Sequence, residues 1–222
     1  MDDSCGMSVD KNIRLAEEKL FDSIFKEARL EGVPVAYWQV EAICREMPVA
    51  GLPADDIAKI KNLHKAWRFV FETVGYPVDL RYVRQMNWEV GKGVVHQAGE
   101  LRTADVAMGG TGWKPELPDM DKAQAQIAAI RDSGGLAEDR AIDMMLYIMR
   151  AQLFADGNKR TAQLIANQML ISDARGTLLA VPVERINDFL RLLVCYYETN
   201  TPDEIKIFLR RHCLRRAETE TN

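Results

Sequence analysis

Gln152-Leu153-Phe154-Ala155-Asp156-Gly157-Asn158-Lys159-Arg160 is the stretch whose reading decides the fold. Asp156-Gly157-Asn158 are turn and cap residues, and Ala162, Ile165 and Met169 after them are spaced along one helical face. The stretch is therefore a loop that ends at a helix N-terminus. There the unpaired N–H groups and the positive end of the helix dipole face outward, which suits an anion such as a diphosphate. Gly157 lets the backbone approach closely. Lys159 and Arg160 occupy the first turn, where the dipole disfavours cations unless an anion compensates. Asp156 can hold Mg²⁺ bridging two phosphates, since a hard cation takes one carboxylate plus substrate oxygens. A capped helix with a solvated basic turn explains the same residues, so the motif must be weighed with its surroundings.

Those surroundings are helical. Ile13, Leu20, Ile24 and Ala28 lie close to one stripe over residues 10–31, and Ile57, Ile60, Trp67, Phe71 and Val74 repeat the spacing over 55–75. Further helices are expected over about 79–90, 119–131, 136–151, 158–171 and 183–199. Thr201-Pro202-Asp203-Glu204 reads as a capping box that opens a last one. The fold class is mostly α. One segment, 99–118, breaks the pattern with several glycines, Pro115 and Pro118 around a run of small and β-branched residues, and it predicts a small β-hairpin. An exposed hairpin can lend its edge to an extended segment of a target.

Composition bounds the partners. The 222 residues are 47% hydrophobic, enough for a sizeable core. A net charge of -4, from 29 basic and 33 acidic residues, offers no field for a polyanion, so no nucleic-acid partner is expected. Cys5, Cys44, Cys195 and Cys213 form no CxxC pair, which points to reduced, packed thiols in a cytoplasmic protein and not to zinc. Met1-Asp2-Asp3-Ser4 is acidic where a signal peptide is basic, and no apolar run nears about 18 residues, so no membrane partner is expected.

The loop resembles the signature of the Fic and Doc proteins, the Fido fold, written His-x-Phe-x-(Asp or Glu)-Gly-Asn-(Gly or Lys)-Arg. Phe154, Asp156, Gly157, Asn158, Lys159 and Arg160 match it. Upstream, Gly99-Glu100-Leu101-Arg102-Thr103, then Val106-Ala107-Met108-Gly109-Gly110 and Pro115, resemble the family's target-holding flap. The resemblance runs from about residue 20 to 214. It implies an N-terminal helical region over 1–75, a Fido core over 76–215 with flap 99–118 and loop 152–160, and a loose tail over 216–222.

What the resemblance implies about function is specific. ATP with Mg²⁺ would bind at the loop, Asp156 would hold the metal, and Gly157, Asn158, Lys159 and Arg160 would contact the nucleotide. A target protein would dock on the flap at Arg102, Thr103 and Ala104. Most relatives transfer AMP to a Ser, Thr or Tyr hydroxyl. The Doc branch transfers the terminal phosphate, and Lys159 resembles that branch.

Gln152 stands where the family has its proton-accepting His. An amide accepts no proton near pH 7, and losing a positioned base typically costs about 10² to 10⁴ in rate, while Asp156 to Arg160 keep metal and phosphate binding. Gln163 replaces another frequent Arg. His64, His96 and His212 are the only histidines, and His96, just before the flap, is more readily a solvated residue than a replacement base. Many relatives also carry an inhibitory helix, (Ser or Thr)-x-x-x-Glu-(Gly or Asn). Glu31-Gly32 resembles its end, with Glu27 at the Ser or Thr position, and the plain alternative is a glycine-capped helix. A frame starting at Ser23 ends in Ala28, so Glu31 is the inhibitory candidate. Two readings follow from the resemblance. One is an adenylyltransferase, or Doc-like kinase, with altered or weak catalysis. The other is an inactive, nucleotide-responsive binding module, as in a toxin and antitoxin pair. The sequence assigns no target and no oligomeric state.

Overall fold

The computed structural model describes residues 8–173 and 176–216. Its helices are α1 (Val9–Glu18), α2 (Leu20–Leu30), α3 (Tyr37–Cys44), α4 (Ala54–Thr73), α5 (Leu80–Gly91), α6 (Met120–Arg131), α7 (Ala137–Ala151), α8 (Asn158–Ser172), α9 (Ile186–Thr199) and α10 (Asp203–Phe208). A π-helical turn, Leu209–Cys213, extends α10. Strands β1 (Thr177–Leu179) and β2 (Leu214–Arg216) form a two-stranded antiparallel sheet, with Leu178 opposite Arg215. Among the described residues, no helix is long and apolar enough to cross a membrane. Cys5 and residues 217–222 of the expected tail lie outside the described residues.

The mostly helical expectation holds, with local differences. The stripe over 10–31 is two helices, parted at Lys19, whose ψ of 4° leaves the helical range. Helix α3 was not anticipated, because its eight residues, YWQVEAIC, have little periodic polar contrast. Pro202, not Thr201, precedes α10, and no side chain caps its start. The small sheet joins β1 and β2, far apart in sequence, and not the two limbs of 99–118. That segment holds no strand, and three of its carbonyls, those of Ala104, Pro115 and Glu116, accept instead from the Arg102 guanidinium.

The layout centres on α7 and α8, joined by the 152–157 loop, with α5 and α4 against α8. Trp67, Met144, Ile148, Phe154, Leu164 and Phe189 form part of one continuous core shared with the N-terminal helices. Burial of each such side chain contributes roughly 1.5–3 kcal/mol. Buried amides fasten the helix ends and turns to this core. Asn12 in α1 donates to the carbonyls of Leu170 and Ile171, two of the unpaired acceptors at the end of α8. Gln168 donates to Val74 and Tyr76, where the chain leaves α4. Asn167 exchanges two 2.8 Å bonds with the Leu179 backbone, registering β1 on α8. Asn167→Ala should therefore lower unfolding stability in urea by about 2–3 kcal/mol, because it strands a buried donor and acceptor at once.

Candidate active site

The loop closes around Asn158. Its Oδ1 accepts the Phe154 N–H at 3.1 Å, and its Nδ2 donates to the Phe154 carbonyl at 2.7 Å and to Gln152 Oε1 at 3.0 Å. Phe154 is 1% exposed and anchors the loop in the core. Asn158 was expected to contact the nucleotide; its side-chain amide is buried and spent on the loop itself, which leaves the backbone N–H at the start of α8 for such a contact. Gly157 precedes α8 with φ +81°, and a Cβ there would lie 3.0 Å from Asn87 Nδ2. Both facts require glycine.

Gln152 ends α7 in the left-handed conformation, φ 45°, and is 9% exposed. Its Nε2 donates to the Met149 carbonyl at 2.6 Å and reaches the Tyr197 hydroxyl at 3.5 Å. Asp156 is the open member of the set: its carboxylate is 59% exposed, with Oδ1 accepting from the Gly157 N–H and Oδ2 from Arg160. It is suited to a metal shared with phosphate oxygens. No cluster of three or more His, Cys, Asp or Glu able to hold a metal alone occurs among the described residues.

The cations of the first helical turn have an anion. Glu31, at the end of α2, places Oε1 3.6 Å from Lys159 Nζ and Oε2 3.4 Å from Arg160 Nε. Gly32, φ +80°, ends that helix, so the glycine cap and the approach to the loop are one feature. One turn earlier, Glu27 is fully buried. Burial pushes its carboxyl up to about 8, reinforced by the charge of Glu31, while the Trp67 indole and Arg160 oppose the shift. Neither Glu27 Oε2 nor Trp67 Nε1 completes a hydrogen bond, and Gln163, wholly buried on α8, leaves both amide atoms unpartnered.

Residues 99–118 bridge the loop and α9. The Arg102 N–H donates to the Leu153 carbonyl and its guanidinium to the Gln152 carbonyl at 2.6 Å. Arg102 is 5% exposed, so it ties the segment down and cannot meet a target, whereas Thr103 and Ala104 are exposed. The other limb is held on α9: Trp113 stacks on Tyr197 at 5.6 Å, and Thr111 donates to Glu198. Arg150 covers Trp113 at 4.7 Å while donating to the Tyr196 and Tyr197 carbonyls. Between these anchors, residues 103–110 form no backbone-to-backbone hydrogen bond among the described residues. Loop, segment and α9 enclose a cleft of about 710 Å³ whose walls include Glu31, Met108, Gln152, Asp156, Lys159 and Val194. Arg160 lies behind the cleft wall, 1% exposed, donating to the Val90 carbonyl.

Three residues of this arrangement were not found from the sequence. Asn87 on α5 donates to the Asp156 carbonyl and to Thr161 Oγ1 and accepts the Gly99 N–H, joining loop and flap. A polar residue on the buried face of α5 was the available signal. Tyr197 and Arg191, on α9, both line the cleft and carried no local signal. His64, His96 and His212 lie outside it.

Glu27 makes stability pH-dependent. Between the ordinary value of 4.5 and about 8, the folded chain retains a proton that the unfolded chain releases, so this contribution is full below that window and is lost as pH rises through it. Glu27→Gln should remove the loss. In thermal or urea melts its stability relative to the wild type should rise from pH 5 to pH 8, by on the order of 1 kcal/mol or more.

Comparison with known proteins agrees with the fold. Residues 77–170 match the Fic/DOC family. No curated protein matches in sequence. A Fic domain containing signaling protein from Bacteroides thetaiotaomicron shares the fold at TM-score 0.73 and 15% identity, over 89% of this chain and 82% of its own. Fic-1 from C. elegans does so at 0.75 and 19%, over 89% of this chain, which spans 60% of that one. The N-terminal Fic domain of a VirB-translocated Bep effector protein from Bartonella quintana, with bound ADP, matches at 0.53 and 14%, over 77% and 90%. The chain thus carries a Fic/DOC family domain over residues 77–170, on the helical scaffold of Fic domain proteins.

Proposed function

We propose that this protein binds ATP with Mg²⁺ in the cleft and is a protein adenylyltransferase of altered or weak catalysis. The observation that carries the reading is the convergence, in one cleft, of the α8 N-terminus behind Gly157, the exposed Asp156 carboxylate and Lys159, backed by Arg160. The ADP bound to the Bartonella quintana relative supports a nucleotide as occupant. In this reading the first N–H groups of α8 and Lys159 take the phosphates, and Arg160 holds Asp156 in place from behind. Asp156 holds the metal, which supplies charge neutralisation when bound. The apolar wall of Met108, Leu190, Leu193 and Val194 accepts the base. Residues 103–110, which form no backbone-to-backbone hydrogen bond among the described residues, offer a target segment an edge.

Glu31 occupies the ground that the phosphates need, which supports an inhibitory role. The tethered Gln152 amide favours the second reading, a nucleotide-responsive binding module without transfer.

Calorimetry with Mg-ATP should detect binding by the wild type, at least tenfold weaker binding by Arg160→Ala, and tighter binding by Glu31→Gly; no binding by any of the three would refute the reading. With ATP labelled in turn at the α and γ phosphates, the first reading expects slow transfer of the α label to protein in a cell extract. Transfer of γ label alone identifies a kinase. No transfer by the wild type, with a gain of at least about 10²-fold in Gln152→His, identifies the binding module.

A further inference from the structure

Four residues in a row fix where the protons lie at the position of the missing base. The Phe154 backbone offers both an N–H and a carbonyl to Asn158, so the orientation of that amide is unambiguous: Oδ1 accepts and Nδ2 donates. Nδ2 donates next to Gln152, whose oxygen must therefore be the acceptor and whose Nε2 must be the donor, as its bond to the Met149 carbonyl also requires. Nε2 in turn faces the Tyr197 hydroxyl, which receives that N–H on its oxygen. The Tyr197 proton is left over, and no hydrogen bond donated by that hydroxyl occurs among the described residues. Tyr197 is 5% exposed and lines the cleft. Burial, the largest influence on its hydroxyl, raises its pKa, so it stays protonated.

The cleft therefore presents a donor where a hydroxyl substrate would need an acceptor. Asp156 and Glu31 are the carboxylates of the cleft, and each is engaged by donors or cations. Arg191 lines the cleft with no ion pair or hydrogen bond among the described residues.

Resting on the nucleotide reading above, we propose that the acceptor in this cleft is an oxyanion, a carboxylate or phosphate group that arrives already ionised. Tyr197 donates a hydrogen bond that positions it, and Arg191 supplies the charge that attracts it. The step balances without a base. An acceptor oxygen attacks the α phosphorus of ATP, a new P–O bond forms, the bond from the α phosphorus to the bridging oxygen breaks, and pyrophosphate leaves with that oxygen. No proton is released from the acceptor because it carries none. A carboxylate gives an acyl adenylate, and inorganic phosphate gives ADP.

The test offers the full chain, with Mg-ATP, three acceptors in separate reactions: poly-glutamate with α-labelled ATP, ³²P-labelled inorganic phosphate with unlabelled ATP, and a peptide containing Ser, Thr and Tyr with α-labelled ATP. The expected result is that one oxyanion is adenylylated at least tenfold faster than the peptide, and that Tyr197→Phe slows it about tenfold. A hydroxylamine-labile label on poly-glutamate identifies the carboxylate, and labelled ADP identifies the phosphate. Peptide labelling as fast as either oxyanion overturns the proposal, as does no transfer to any acceptor by protein that binds Mg-ATP in calorimetry. Failure to bind Mg-ATP overturns the nucleotide reading itself.

Discussion

The Asn158 amide is the contact on which the site depends. The chain leaves α7 in a left-handed conformation at Gln152 and enters α8 in another at Gly157, and a non-glycine residue held so costs on the order of 1 kcal/mol. A connection of this kind persists only where something over-determines it. Here one side chain binds both backbone groups of Phe154 while Phe154 itself sits in the core. The exposed Asp156 and the free start of α8 are thereby held on a rigid frame, which is what anion binding through backbone N–H groups demands.

Electrostatics at this frame is governed by an internal anion. Lys159 and Arg160 are unfavourable on a first helical turn by themselves, and the Glu31 carboxylate offsets that cost. A diphosphate would carry more charge and more acceptor oxygens than one carboxylate. The buried polar atoms left without partners nearby, on Glu27, Trp67, Arg160 and Gln163, mark the interior behind the loop as incompletely satisfied.

The loop and most helices were legible in the sequence because their signals are local. Turn residues at Asp156-Gly157-Asn158 and an apolar period on either side need no knowledge of distant contacts. The cation pair at 159–160 also announced an anion, though only its resemblance to an inhibitory motif singled out Glu31. The bracing role of the Asn158 side chain was not foreseen: a polar residue at a phosphate loop reads as a ligand contact, and burial spends this amide on the loop. Arg102 was misread for the same reason, since its guanidinium serves four backbone carbonyls and faces inward. Arg191 and Tyr197 were out of reach, being brought to the cleft by helix α9, whose packing no local pattern encodes, while Asn87 left only the signal of a polar residue on the buried face of α5. The sheet, formed by segments more than thirty residues apart, was likewise invisible to a search for hairpins.

Arg102 has a consequence for how the two halves of the cleft communicate. Its guanidinium and backbone N–H grip both the extended segment and the carbonyls of Gln152 and Leu153, so the segment cannot shift without disturbing the end of α7. Were a peptide to dock on the segment and a nucleotide at the loop, their occupancies would be linked, each changing the affinity for the other by the same factor. A lysine, without the planar fork of the guanidinium, could not hold the same four carbonyls at once.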